Sequence, residues 1–317
     1  MKYIVTGGAG FIGSHIAEEL VKQKEDVTII DNLSSGKLEN IKEFKNKIKL
    51  VEGDIRNINL LKKEFKDADF VLHQAALKSV PGSFNNPEEY HDVNINGTLN
   101  VLKAAKECNV KRVIFASSGA VYGPCKVFPQ KEDFYPKPTS PYGLTKLVGE
   151  HYCKIFNDSL GIETVSLRYF NVFGPRQDPE SEYANVIPKF IALVNSGNQP
   201  TIFSDGEQTR DFIYVKEVAE ANIKACKENV SGEIINIASG ASITINQLLK
   251  KINNILGKDI KAEYGKPRKG DVKHSLADIS KQRELLKIKP NDFDTNLMEM
   301  INWFKNVEKI FIKVRDN

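Results

Sequence analysis

Along the chain, short apolar runs alternate with stretches in which apolar residues recur every three or four positions. Tyr3-Ile4-Val5-Thr6, Val27-Thr28-Ile29-Ile30, Ile48 to Ile55, Asp69 to His73 and Val113-Ile114-Phe115-Ala116 are short runs bounded by polar or turn residues. Such runs predict buried strands. The helical spacing predicts helices over 14–22, 90–108 and 142–160; the last is carried by Leu144, Leu147, Val148, Tyr152, Ile155 and Phe156. A sixth strand is expected over 164–168. Strands and helices alternating through short links predict an α/β fold, a doubly wound parallel sheet of the Rossmann kind.

Gly7-Gly8-Ala9-Gly10-Phe11-Ile12-Gly13 follows the first strand at once and opens the first helix. In that setting GxxGxxG is a dinucleotide fingerprint. Gly7 allows the tight turn, Gly10 lets backbone amides approach a pyrophosphate, and Gly13 lets helix and strand pack closely. The helix N-terminus favours the phosphate charge. Asp31 ends the second strand, 18 residues beyond Gly13, where an acid can accept from the adenosine ribose hydroxyls. A carboxylate there repels a 2′-phosphate, so NAD is expected over NADP. Asp54 is placed for the adenine edge, and the small residues of Gln74-Ala75-Ala76 suit close approach of a cofactor. His73 reads as a packed strand histidine.

Tyr142 and Lys146 stand one turn apart on one face of the 142–160 helix, about 6 Å along its axis. A free phenol, with a pKa of about 10, is a poor base at neutral pH. A neighbouring ammonium is expected to lower that pKa, giving a group able to take and return a hydroxyl proton. A serine of Ser117-Ser118, at the end of a strand, can hold a substrate hydroxyl beside it.

After Arg168 the character changes. Residues 169–176 form a loop of aromatic and amide groups; strand patterns at 201–203, 211–215 and 234–237 alternate with helical ones at 185–195, 215–228, 244–256 and 294–312. The expected division is an NAD-binding domain over 1–168, with 205–240 returning to it, and a smaller substrate lobe from 169–204 and 241–317. Arg210 and Arg268 could clamp a second diphosphate bidentately or be ordinary surface arginines.

The net charge of +4 is spread along the chain, which argues against nucleic acid as a partner. The four cysteines form no CxxC and fit a reducing compartment; no metal is expected. No apolar run approaches membrane-spanning length, and a strand pattern from Lys2 leaves no room for a signal peptide. The expected place is the cytoplasm, with no membrane partner.

TGGAGFIG, DNLSSG, GDIRN, HQAALKSV, NINGTLNVLKAA, FASSGAVYG, SPYGLTK, LRYFNVFGPRQ, TRDFIYV and PRKGD occur in one order over nearly the whole chain. Together they resemble the extended short-chain dehydrogenase/reductase family, and within it the UDP-glucose/UDP-N-acetylglucosamine 4-epimerases. The resemblance implies Ser118, Tyr142 and Lys146 as the catalytic set, with Ser117 close enough to leave the choice of serine slightly open. It implies cofactor contacts at Phe11, Ile12, Asp31, Asn32, Asp54, Ile55, Lys78, Asn94 and Phe170, beside the glycine loop, Gln74-Ala75-Ala76 and Ser117. It implies UDP-sugar contacts at Lys78, Asn171, Asn185, Val186, Ile202, Arg210, Arg268 and Asp271. Ser275, four residues after Gly270-Asp271, falls where a residue borders the sugar pocket, and a small one there implies room for a 2-acetamido group. Related dehydratases and decarboxylases carry an acid after the serine or threonine, whereas Gly119-Ala120 here implies simple epimerisation. A homodimer through the 90–108 and 142–160 helices is implied too. Other readings are a UDP-glucuronate 4-epimerase, another NAD-dependent nucleotide-sugar oxidoreductase, or a non-catalytic NAD-sensing protein.

Overall fold

The computed structural model describes residues 1–179, 185–267 and 272–315. In chain order come β1 (Lys2–Thr6), α1 (Phe11–Lys22), β2 (Asp26–Asp31), β3 (Lys49–Glu52), α2 (Ile58–Phe65), β4 (Phe70–His73), α3 (Val80–Asn85), α4 (Pro87–His91), α5 (Gly97–Glu107), β5 (Arg112–Ser118), α6 (Pro141–Leu160) and β6 (Glu163–Tyr169). Tyr3, Ile4, Val5, Val71, Leu72, Val113 and Ile114 have no exposed surface. Strands so apolar on both faces must be covered on both, and they pair in parallel within a seven-stranded sheet ordered β10-β6-β5-β4-β1-β2-β3.

The helix expected over 90–108 runs without interruption from α4 through a π-helical turn at Asp92–Asn96 into α5. The wider turn accommodates the buried Asn94 side chain, which accepts from the Leu77 amide (2.8 Å) and donates to the Leu77 carbonyl (3.0 Å) and to Thr145 (3.1 Å). The first helix starts at Phe11 rather than Ser14, because Gly10 takes the extended capping conformation with no side chain to cap the first amides.

The second half contains β7 (Asn171–Phe173), α7 (Val186–Asn195), β8 (Thr201–Phe203), β9 (Thr209–Tyr214), α8 (Val215–Lys227), β10 (Ile234–Ile237), β11 (Ser242–Thr244), α9 (Ile245–Leu256), β12 (Glu263–Gly265), α10 (Ser280–Leu285) and α11 (Phe293–Arg315). Within the stretch expected to return to the first domain, α8 and β10 join its core and sheet. β9 instead pairs with β7 and β11 in a separate three-stranded sheet. That sheet has its own core, where Phe173 meets Phe293 and Tyr214 at 5.2 and 5.5 Å between ring centres. Ile202, expected at the substrate, is 1% exposed inside this core, so its side chain packs and does not line a cleft. Among the described residues no helix is long and apolar enough to cross a membrane.

Candidate active site

Because the main sheet is parallel, the C-terminal ends of β1, β2, β4 and β5 lie along one edge. The strand order reverses between β1 and β4, and there the crevice of a doubly wound sheet opens. The glycine loop, Asp31, Gln74–Lys78 and Ser117-Ser118 all reach this edge.

Ser140 caps α6 by accepting from the Gly143 amide at 3.1 Å, and Pro141 occupies the first turn. This start fixes Tyr142 and Lys146 one turn apart. The Lys146 ammonium is buried, donates to the Ala116 carbonyl at 2.7 Å, and stands 5.9 Å from the centre of the Tyr142 ring. Burial lowers its pKa to about 8. The Tyr142 pKa is raised, not lowered: burial is the larger influence, opposed by a hydrogen bond from Ser118. The expected lowering by Lys146 does not offset this burial.

The two serines part company. Ser118 accepts from the Ala120 amide at 3.1 Å and meets the Tyr142 phenol. Ser117, expected among the cofactor contacts, donates to Glu150 at 2.5 Å, since successive strand residues point to opposite faces. Glu150 is buried on α6 and forms a two-bond ion pair with Arg168 of β6, each bond 2.8 Å. Sequence reasoning missed this network; an acid inside the apolar face of the helix, four residues after Lys146, was its signal.

The glycine loop fits a dinucleotide. Gly7 has φ +68°, and a Cβ there would lie 2.7 Å from the Ala75 amide nitrogen; one at Gly13 would lie 2.2 Å from the Gly7 carbonyl oxygen. A Cβ at Gly10 would meet only the Gly7 oxygen, at 3.1 Å, and otherwise fill the space before α1. Phe11 and Ile12 pack partly buried against the core. The buried Asp31 carboxylate accepts from the amides of Ala9 (2.9 Å) and Leu33 (2.8 Å), tying the glycine loop to the end of β2. Burial raises its pKa.

Other expected cofactor residues hold the walls of the crevice. Asn32 donates to Asp54, whose carboxylate takes two side-chain bonds from Arg56 (3.0 and 2.7 Å); Arg56 holds the Asp54 pKa down at about 2. Ile55 is buried beneath Gly97. Gln74 bonds Asn222 and Tyr169. Asn94 has its amide group committed to Leu77 and Thr145. Ala75 lies against Gly7, Ala76 is half-buried, and Phe170 packs on Tyr122 and beside Gly119. Lys78 is exposed in the loop after β4. His73 is buried between Thr6 (2.8 Å to Nδ1) and Thr98 (3.0 Å to Nε2). Thr98 donates its own hydrogen to the Asn94 carbonyl, so Nε2 carries the imidazole proton and Nδ1 accepts from Thr6.

In the smaller lobe, Asn171 donates to the Asp211 carbonyl at 2.9 Å, Asn185 stands just before α7 without a side-chain bond to its amides, and the half-buried Val186 packs on the lobe core. Arg210 donates to the Thr209 carbonyl at 2.8 Å. Arg268 and Asp271 lie outside the described residues. Ser275 is half-buried in a segment stitched at Lys273 to Thr209 (2.9 Å) and at Leu276 to Gln130 (2.7 Å). Asp211, also missed from sequence, has no exposed surface. It accepts from the amides of Ser239, Gly240 and Ala277 and from the Ser239 hydroxyl, at 2.7–3.1 Å. An acid within the apolar strand of TRDFIYV was the readable sign.

A family model described as the NAD dependent epimerase/dehydratase family matches residues 3–238. The chain belongs to that family. This NAD dependent epimerase/dehydratase is therefore an enzyme with NAD as its cofactor. It is 44% identical to a putative UDP-glucose 4-epimerase of Methanocaldococcus jannaschii, over 96% of this chain and 98% of the relative. Its fold matches that of UDP-N-acetylglucosamine 4-epimerase from Methanobrevibacter ruminantium M1, solved in complex with UDP-N-acetylmuramic acid (TM-score 0.93, 47% identity, 96% and 98% of the two chains). It matches equally a UDP-glucose 4-epimerase from Thermotoga maritima, solved with UDP-glucose (TM-score 0.93, 38% identity, 97% and 99%). The family member thus belongs among UDP-sugar 4-epimerases.

Proposed function

We propose that the protein interconverts the C4 epimers of UDP-hexoses, both UDP-glucose with UDP-galactose and their N-acetyl counterparts. The observation that carries this reading is the Lys146 ammonium 5.9 Å from the centre of the Tyr142 ring, with Ser118 acting on that phenol and Gly119-Ala120 in place of an acid. When bound, NAD supplies a hydride acceptor at C4 that becomes the donor for the return. In its ionised form the Tyr142 oxygen takes the O4 proton and gives it back, and Ser118 orients that hydroxyl; Lys146, anchored on Ala116, and the positive nicotinamide ring of bound NAD would favour that ionised form against the burial that raises the phenol pKa. Every proton and hydride removed is returned, so no net oxidation occurs and no further acid is needed. The glycine loop, Asp31 and Lys78 serve the cofactor in this reading; Asn171, Asn185 and Arg210 serve the UDP. Leu144 and Ile155 on α6 are each 51% exposed, which supports pairing of two copies through that helix.

The test is incubation of the purified protein, without added NAD, with separate UDP-sugars and chromatography of the products. Equilibrium mixtures from UDP-glucose and UDP-N-acetylglucosamine are expected. Conversion of UDP-glucuronate alone would transfer the reading to that sugar, and no conversion of any would sink it.

A further inference from the structure

The motif that follows β7, Gly174-Pro175-Arg176-Gln177-Asp178, takes no part in the chemistry above, yet it is fastened to the cofactor domain at several points. The Pro175 carbonyl meets the His15 ring at 3.0 Å. The Arg176 guanidinium pairs with Glu18 at 2.5 Å and donates to the Ser14 hydroxyl at 3.3 Å. Asp178 pairs with Lys37 at 2.6 Å. Ser14, His15 and Glu18 belong to the first two turns of α1, directly beyond the glycine loop.

Lys37 is itself part of the cradle's rim, because its amide donates to the Ala9 carbonyl at 3.0 Å. It follows β2, whereas Lys78 follows β4, and β1 with its glycine loop lies between those strands. Asp178 and Lys37 both exert their charge on the Lys78 ammonium, the first favouring and the second opposing its protonated form. The Lys37–Asp178 pair therefore joins the segment after β7 to the residue whose amide holds the Ala9 carbonyl of the glycine loop. Arg176 holds the left-handed backbone (φ +67°), which a non-glycine residue keeps only when its surroundings impose it.

We infer that the Pro175–Asp178 segment is a retaining strap over the pyrophosphate part of the dinucleotide, and that the Lys37–Asp178 pair is its latch. An enzyme that must return the same hydride gains from slow cofactor release, and a strap across the pyrophosphate delays release without touching the reacting atoms. The inference rests on NAD in the glycine cradle and not on which sugar is turned over.

The experiment loads the purified protein with labelled NAD, chases with excess unlabelled NAD, and follows loss of label. Asp178→Asn and Lys37→Met should each release NAD roughly three- to fivefold faster, the range open to a surface ion pair. The charge-exchanged double variant, Lys37→Asp with Asp178→Lys, should return the rate toward wild type. Calorimetry should show Asp178→Asn weakening ADP-ribose but not adenosine, since only the former carries the pyrophosphate. Unchanged release in the single variants, or equal weakening of adenosine, would overturn the strap. So would a double variant that releases NAD faster than either single change.

Discussion

Ser117 donates its hydroxyl to the buried Glu150 at 2.5 Å, while its neighbour Ser118 turns to Tyr142. One residue of strand register separates a structural bond from a catalytic one. Ser118→Ala should lower kcat by about 100-fold or more, the usual scale for a group assisting proton transfer. Ser117→Ala should keep kcat within about tenfold and lower unfolding stability by about 1–3 kcal/mol, since it strips a donor from a buried carboxylate. Steady-state kinetics and urea unfolding of both variants decide this; equal losses of kcat would exchange the roles.

Tyr142→Phe should remove nearly all epimerisation while leaving NAD bound. The ionised Tyr142 oxygen is the base in the proposed cycle, and the ring that packs beside Lys146 is kept. Turnover and the dinucleotide content of the purified variant are the measurements. Substantial residual turnover would assign the proton transfer to another group.

His73 gives a pH dependence of stability. Its pKa, 6.5 in the unfolded chain, is lowered to about 3 by burial, with the Lys146 charge adding to the effect. The unfolded chain therefore binds a proton below pH 6.5 that the folded chain refuses until about pH 3. The stabilisation is complete above pH 6.5 and is lost as pH falls through that window, by about 2 kcal/mol at pH 5. Urea midpoints across the window should fall more steeply in wild type than in His73→Gln. Parallel slopes would mean that His73 titrates normally.

Asp31 should select NAD. Its carboxylate is pinned by the Ala9 and Leu33 amides, and a Cβ on Gly36 would come within 2.6 Å of it. It has no freedom to move away from a 2′-phosphate. Denaturing the purified protein and chromatographing the released dinucleotide should yield NAD, and a preponderance of NADP would count against the assignment.

Ser275 tests the size of the sugar pocket. The segment around it is anchored through Lys273, Leu276 and Ala277, so a bulky residue there cannot easily swing aside. Ser275→Tyr should spare UDP-glucose and UDP-galactose and depress kcat/KM for the N-acetyl pair by at least about tenfold, as expected of a steric wall. Equal effects on both pairs would place the gate elsewhere.

The order of strands and helices, the glycine loop and the Tyr142–Lys146 spacing were legible in the sequence, because each follows from local periodicity or from neighbours within one turn. Those features depend on φ, ψ preferences and on which face of one element is apolar. The π-turn within the 90–108 helix could not be read that way, for the Asn94 side chain it presents is bonded to Leu77, which belongs to another segment. The same holds for the burial of Ile202: a short strand pattern does not say which neighbours will cover it. Which serine faces Tyr142, the rise rather than fall of the tyrosine pKa, the Glu150–Arg168 pair, the Asp211 hub and the Lys37–Asp178 latch were likewise decided only by tertiary structure. Each depends on groups far apart in the chain brought within hydrogen-bonding or electrostatic reach, and on the burial that sets how strongly they interact. The sequence determined which chemical groups were available at the sheet edge; packing decided which of them face the crevice and which are spent on holding it open.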